Sequence, residues 1–177
     1  MSNNPNERQF KPLNIAVMTV SDTRTEANDT SGDTLVKLLT EAGHILAEKR
    51  IVPDDIYQIR AAVSQWIADD TINAVITTGG TGITGRDSTP EAVKVLLDKE
   101  IEGFGEVFRA VSYEEIGTST IASRALSGVA NATYIFCLPG STGACRTGWG
   151  KLISHQLDYR TRPCNLVELM PRVLEKG

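Results

Sequence analysis

Two segments of this chain set glycines and hydroxyl side chains directly behind short apolar runs, a combination suited to holding phosphate groups. In the first, Ala74–Thr77 runs into Thr77-Thr78-Gly79-Gly80-Thr81-Gly82. Glycine lets backbone N–H groups approach an anion unobstructed, and successive N–H groups form an anion-binding hollow. Thr77, Thr78 and Thr81 add hydroxyl donors. The spacing is neither G-x-x-x-x-G-K-S/T nor a G-x-G-x-x-G that opens a helix, so neither common nucleotide fingerprint applies. A tight strand-to-helix turn would also require glycine, and residue types alone leave both readings open. In the second segment, Thr133–Leu138 runs into Pro139-Gly140-Ser141-Thr142-Gly143, with Arg146 and Lys151 following. Two such loops suggest one ligand with a single phosphate and another with several.

Carboxylates lie close to both ideas. Asp87 follows the first loop, where it could hold Mg²⁺ against phosphates or cap the turn before Pro90. Arg86 beside it could pair with that carboxylate or with a phosphate. Asp54 and Asp55 precede an expected helix, where acids usually serve the helix dipole; a second carboxylate near a nucleotide is the alternative. A third polar loop, from Ser21-Asp22 to Ser31-Gly32, could touch a substrate rim or be plain surface.

The positioning elements follow from hydrophobic patterning. Leu13–Val20, Ile45–Val52, Ala74–Thr77 and Thr133–Leu138 read as buried strands, and Ala125–Ala130 as a strand edge. Helices are expected from about Gly32 to Ala42, over Ile56–Ala68, from Pro90, and over Cys145–Leu157. Glycines 103, 105 and 117 leave residues 102–124 without a clear assignment beyond a short helix around Phe104–Val111. The βαβα alternation predicts an α/β fold, three-layer α/β/α with a mostly parallel sheet. Residues 1–12 read as a flexible arm and 13–177 as a single domain.

Bulk properties exclude several function classes. The 177 residues carry 41% hydrophobic and 23% charged residues and a net charge of −4. An acidic chain repels nucleic-acid phosphates, so no nucleic-acid partner is expected. No apolar run reaches the roughly 20 residues of a membrane span, and the polar start is no signal peptide, so a cytoplasmic location is expected. Cys137, Cys145 and Cys164 have neither metal nor disulfide spacing. His44 and His155 stand alone, which argues against structural zinc.

The run TTGGTGITGRDSTPEA, with SDTRTEANDTSG before it and LPGSTGACRTGWGKLI after it, resembles the MoaB/MogA family of molybdenum-cofactor biosynthesis proteins. The G domain of gephyrin and part of MoeA are similar. EGFGEVFRAVSYEEIGTSTIASRALSGVAN and QLDYRTRPCN resemble the MoaB branch. The resemblance covers roughly residues 13–165. It implies a homo-oligomer, trimer or hexamer, working with other proteins of the pathway. It also implies Mg²⁺-dependent adenylylation of molybdopterin by ATP. By resemblance the nucleotide loop falls on Thr78, Gly79, Gly80, Thr81 and Gly82, and the catalytic, metal-holding acids on Asp54 and Asp87. The pterin-side loop falls on Pro139, Gly140, Ser141 and Thr142, with Ser21 and Asp22 lining the site. Some MoaB-branch members look to have lost the two acids; this chain keeps both, which favours an enzyme. The alternative is a carrier or scaffold that binds molybdopterin or nucleotide without turnover.

Overall fold

In the computed structural model, which describes residues 8–175, the chain forms one six-stranded sheet between two helical layers. The strands are β1 (Asn14–Val20), β2 (Ile45–Val52), β3 (Ala74–Thr78), β4 (Lys99–Glu100), β5 (Leu126–Ala130) and β6 (Thr133–Leu138). Their order is β2-β1-β3-β6-β5-β4. β2, β1, β3 and β6 run parallel; β5 is antiparallel to both β6 and β4. The mostly parallel three-layer α/β/α expectation is met, with an antiparallel margin. That margin arises at Asn131-Ala132, where both residues take positive φ (47° and 65°). Two consecutive positive φ angles let a two-residue turn join twisted antiparallel strands.

Alternation along the strands divides the core. Ile15, Val17, Ile76 and Phe136 face one side, while Ala16, Met18, Val75 and Ile135 face the other. On the first side pack α1 (Thr30–Glu41), α4 (Glu102–Ile116) and α5 (Thr142–Gly148). A π-helical turn (Trp149–Ile153) continues α5 into the short α6 (Ser154–Gln156). On the second side pack α2 (Ile56–Ala68) and α3 (Thr89–Lys94), through Ile59, Val63, Trp66 and Val93. A last short helix, α7 (Leu166–Leu169), adds Val167 to the first side.

Most helix starts follow local chemistry. Asp29 caps α1 by accepting the Gly32 N–H, and Ser141 caps α5 by accepting the Ala144 N–H. α5 therefore begins at Thr142, three residues before the expected Cys145. The short helix expected around Phe104–Val111 is a longer one, α4, spanning Glu102–Ile116. Phe104, Phe108 and Ser112 of α4 fall at i, i+4 and i+8 and are buried. Gly105 is what that packing requires: a Cβ there would lie 2.6 Å from the Ala125 carbonyl oxygen. A 3₁₀ turn (Gly117–Ala122) then returns the chain to β5. Of the arm expected over residues 1–12, the first seven lie outside the described residues. Arg8 pairs with Glu168 at 2.7 Å, and the Phe10 ring lies 4.9 Å from that of His44.

Phe136 is 1% exposed at the middle of the sheet. Phe136→Ala should lower the unfolding free energy by about 3–5 kcal/mol, read from urea denaturation, because the surrounding sheet cannot collapse into the void.

Candidate functional site

The chain leaves β1 for β2 on one side and later returns to β3 on the other. Parallel sheets bind ligands where such a reversal opens a crevice at the carboxyl ends of the strands. Here the ends of β1, β3 and β6 surround a cavity of about 610 Å³. Ser21, Thr78–Gly82 and Pro139–Ser141 line it, as does Asp87.

The glycine loop owes its path to two left-handed residues, Gly79 (φ 104°) and Gly80 (φ 65°). A Cβ on Gly79 would sit 2.2 Å from the Val20 carbonyl oxygen, and one on Gly80 2.3 Å from Thr89 Oγ1 and 3.0 Å from Asp54 Oδ1. The loop is thus pressed against the end of β1 and against Asp54. Thr89 fastens it, donating from its hydroxyl to Gly79 O (2.9 Å) and from its N–H to Gly80 O (3.0 Å). The tight-turn reading of the glycines holds, and the same turn lines the cavity.

The second loop meets the first. Gly79 N–H donates to Leu138 O, and a Cβ on Gly140 would lie 3.2 Å from Gly79 Cα. Thr78 donates its hydroxyl to Pro139 O at 3.0 Å, so it ties the loops together, while Thr77 is wholly buried within β3. Ser31 donates to Gly140 O, and Ser141 is occupied as the α5 cap. Thr142 is the first helical residue, its hydroxyl 3.4 Å from that of Thr30. The buried Cys145 lies behind this loop, and burial pushes its thiol up to about 11, which keeps it protonated and unreactive.

The adjacent acids Asp54 and Asp55 take different roles. Asp55 caps α2, accepting from the N–H groups of Tyr57 and Gln58. Asp54 turns toward Gly80. Burial, then the neighbouring carboxylates Asp22 and Asp87, push its carboxyl above the ordinary range. Asp87 is held below that range, chiefly by the Thr84 hydroxyl (2.5 Å), which together with the Thr84 N–H (2.9 Å) donates to Oδ2. Arg86 pairs with Asp22 through two contacts of 2.7 and 2.9 Å, leaving Asp87 to Thr84. Asp22 also accepts the Asp54 N–H, joining three loops.

Among the described residues no cluster of three or more His, Cys, Asp or Glu forms a ready metal cage. Two carboxylates are nevertheless what Mg²⁺ commonly takes from a protein when waters and phosphates complete its shell. Burial raises Asp54 most, and the lesser contribution from Asp22 and Asp87 is the part a cation would relieve. Asp54 and Asp87 therefore fit such an ion.

One whole wall was not foreseen from sequence. Phe108, Ser112 and Glu115 of α4 line the cavity, with Thr120 and Ser123 beyond them. Glu115 accepts from the Thr147 hydroxyl at 2.6 Å, while the buried hydroxyls of Thr120 and Ser123 have no protein partner. The i, i+4, i+8 spacing from Phe104 was the available signal, and the glycines around it concealed it.

The fold and this two-loop cavity define a class. A family model described as "Probable molybdopterin binding domain" matches residues 16–159, and the chain belongs to that family. Relatives place it more narrowly. It is 57% identical over 157 residues to molybdenum cofactor biosynthesis protein B of Escherichia coli K12, covering 89% of this chain and 92% of that one. A crystal structure of molybdenum cofactor biosynthesis protein B superposes with a TM-score of 0.82 at 48% identity, covering 85% of this chain and 94% of the other. The tungsten cofactor synthesizing protein MoaB from Pyrococcus furiosus gives 0.72 at 40% identity, over 80% and 91%. The protein is thus a molybdenum-cofactor biosynthesis protein, and the resemblance to the MoaB branch holds. No helix of the described residues is long and apolar enough to cross a membrane.

Two outcomes follow from the loop geometry. Gly79→Ala should cost about 1–3 kcal/mol of stability in urea unfolding, since neither its φ nor the Val20 carbonyl tolerates a Cβ. The second concerns pH. A raised folded-state value means that the folded protein holds the Asp54 proton more readily than the unfolded chain does. Stability is therefore lost as pH rises from below the unfolded carboxylate value, about 3.9, through the folded one. Asp54→Asn should melt at a higher temperature than the wild type at pH 7, and the difference should vanish below that range in parallel scans.

Proposed function

We propose that the protein adenylylates molybdopterin with ATP, in the cytoplasm, as a step of molybdenum-cofactor assembly. The observation carrying this reading is the contact between the two loops: Gly79 and Gly140 meet, so a single cavity is lined by both loops, with Asp87 in its wall and Asp54 against Gly80. In this reading Gly79–Gly82 cradle the ATP phosphates, and Pro139–Thr142 receive the terminal phosphate of molybdopterin. An oxygen of that phosphate attacks the α-phosphorus. A new P–O–P bond forms while the bond to the β-phosphate breaks, and pyrophosphate leaves with its electron pair. No proton transfer or covalent enzyme intermediate is required.

Both reactants are anions, so alignment and charge neutralisation are the main obstacles. Mg²⁺, when bound, would neutralise charge on the phosphates. Asp87, whose carboxyl Thr84 holds below the ordinary range, is suited to hold that ion, and Asp54 would serve as a second ligand. Assembly as a trimer or hexamer belongs to the same reading. Val107, Tyr113 and Ile116 of α4, with Ile121, supply exposed apolar surface for such contacts.

One observation favours a second reading, in which the chain binds molybdopterin or nucleotide as a carrier or scaffold without reaction. Asp87 already has a local structural partner in Thr84. Incubation with molybdopterin, ATP and Mg²⁺ separates the two. Turnover gives adenylylated molybdopterin and one pyrophosphate per product, whereas ligand binding without pyrophosphate supports the carrier. In the first case Asp87→Asn should reduce product formation by at least about 100-fold with the fold preserved by circular dichroism. Wild-type turnover in that variant would remove Asp87 from the reaction.

A further inference from the structure

Arg124 lies between the 3₁₀ turn and β5, far in sequence from the glycine loop, yet it is bonded to that loop at several points. Its Nε donates to Gly82 O at 2.7 Å, and its Nη2 donates to Asp87 O at 2.9 Å. Its backbone N–H donates to Thr81 O at 3.2 Å. Its Nη1 pairs with Glu91 in the first turn of α3. The guanidinium approaches from behind: Arg124 lines a separate hollow with Glu91 and Arg109 and is not part of the cavity wall.

The segment it grips has little else to hold it. Ile83 is 75% exposed, and a Cβ on Gly85 would meet nothing within 4 Å. Its other ties are the local turn in which the Asp87 carboxylate accepts from Thr84 and from the Gly82 N–H, and the exposed Arg86–Asp22 pair. A segment with no packed side chains keeps its shape only through hydrogen bonds. A planar guanidinium can hold two carbonyls at fixed separation, which an ammonium cannot match.

We propose that Arg124 is a positioning residue of the nucleotide site: by binding the carbonyls of Gly82 and Asp87 it fixes the backbone that carries the glycine loop at one end and the Asp87 carboxylate at the other. The catalytic consequence rests on the adenylylation reading above; the clamp on the loop does not. Arg124 touches neither reactant and acts through Gly82 and Asp87. Its loss displaces the nucleotide end of the cavity and leaves Pro139–Thr142, to which it makes no bond, in place.

Two measurements on Arg124→Lys and Arg124→Met test this. Amide hydrogen exchange of the ligand-free protein should accelerate at least about tenfold across residues 82–87 in both variants, with β1 and β6 unchanged. In the adenylylation assay kcat should fall by about 10- to 100-fold and KM for ATP should rise, while KM for molybdopterin stays within about twofold. Arg124→Lys retains charge and most of the stem, so it separates the clamp from a general loss of fold. Unchanged exchange at 82–87 in Arg124→Met would overturn the proposal, as would exchange accelerated equally throughout the sheet. Absence of product with the wild-type protein would count against the adenylylation reading alone, because the exchange result tests the clamp without it.

Discussion

The close approach of Gly79 to the end of β1 is the constraint on which the site depends. With φ at 104° and the Val20 carbonyl oxygen 2.2 Å from where a Cβ would stand, only glycine fits. That fit lets the loop after β3 fold across the sheet's edge instead of rising away from it. Its N–H then reaches Leu138 O, and Gly140 closes onto it from the far side. One backbone position thus draws three strand ends into one cavity. A larger residue there would separate the two loops whose contact makes the cavity continuous.

Around this point the polar groups divide into structural and available sets. Several side chains that resemble ligand donors are spent on holding loops together: Thr78 on Pro139 O, Thr89 on Gly79 O, Ser31 on Gly140 O. The other polar groups lining the cavity include Ser21, Thr23, Arg24, Asp87 and the hydroxyls supplied by the 3₁₀ turn. A site of this composition offers preorganised dipoles and few nucleophiles. In the proposed reaction such a site would align anionic groups, since reorganisation is small when donors are already fixed.

The acids show how geometry differentiates chemically identical groups. Asp55 faces its own helix and caps it. Asp54, one residue earlier, faces Gly80 and shares the field of Asp22 and Asp87. Asp22 escapes that conflict through the Arg86 guanidinium and sits below the ordinary carboxylate range. Asp54 has no such counter-charge bonded to it and carries the tension of the cluster. The outcome is one carboxyl held below the ordinary range and a neighbour held above it.

Much of this was legible in the residues. Strand runs and the glycine loops behind them are local, because hydrophobic period and turn chemistry act within a few residues of the chain. The family motifs added the pairing of Asp54 with Asp87. Other features arose only in three dimensions. Helix α4 is broken up in sequence by glycines that the packing itself demands, as Gly105 against the Ala125 carbonyl illustrates. Asp54 and Asp55 are indistinguishable in type and order until the loop presses on one of them. Arg124 meets Gly82 and Asp87 across 42 and 37 residues of chain, with no periodicity to announce it. Hydrogen bonds between remote loops depend on where the sheet brings those loops. The sequence alone determined that a glycine-rich loop and two carboxylates would be present, and the tertiary structure decided which groups remain free to act.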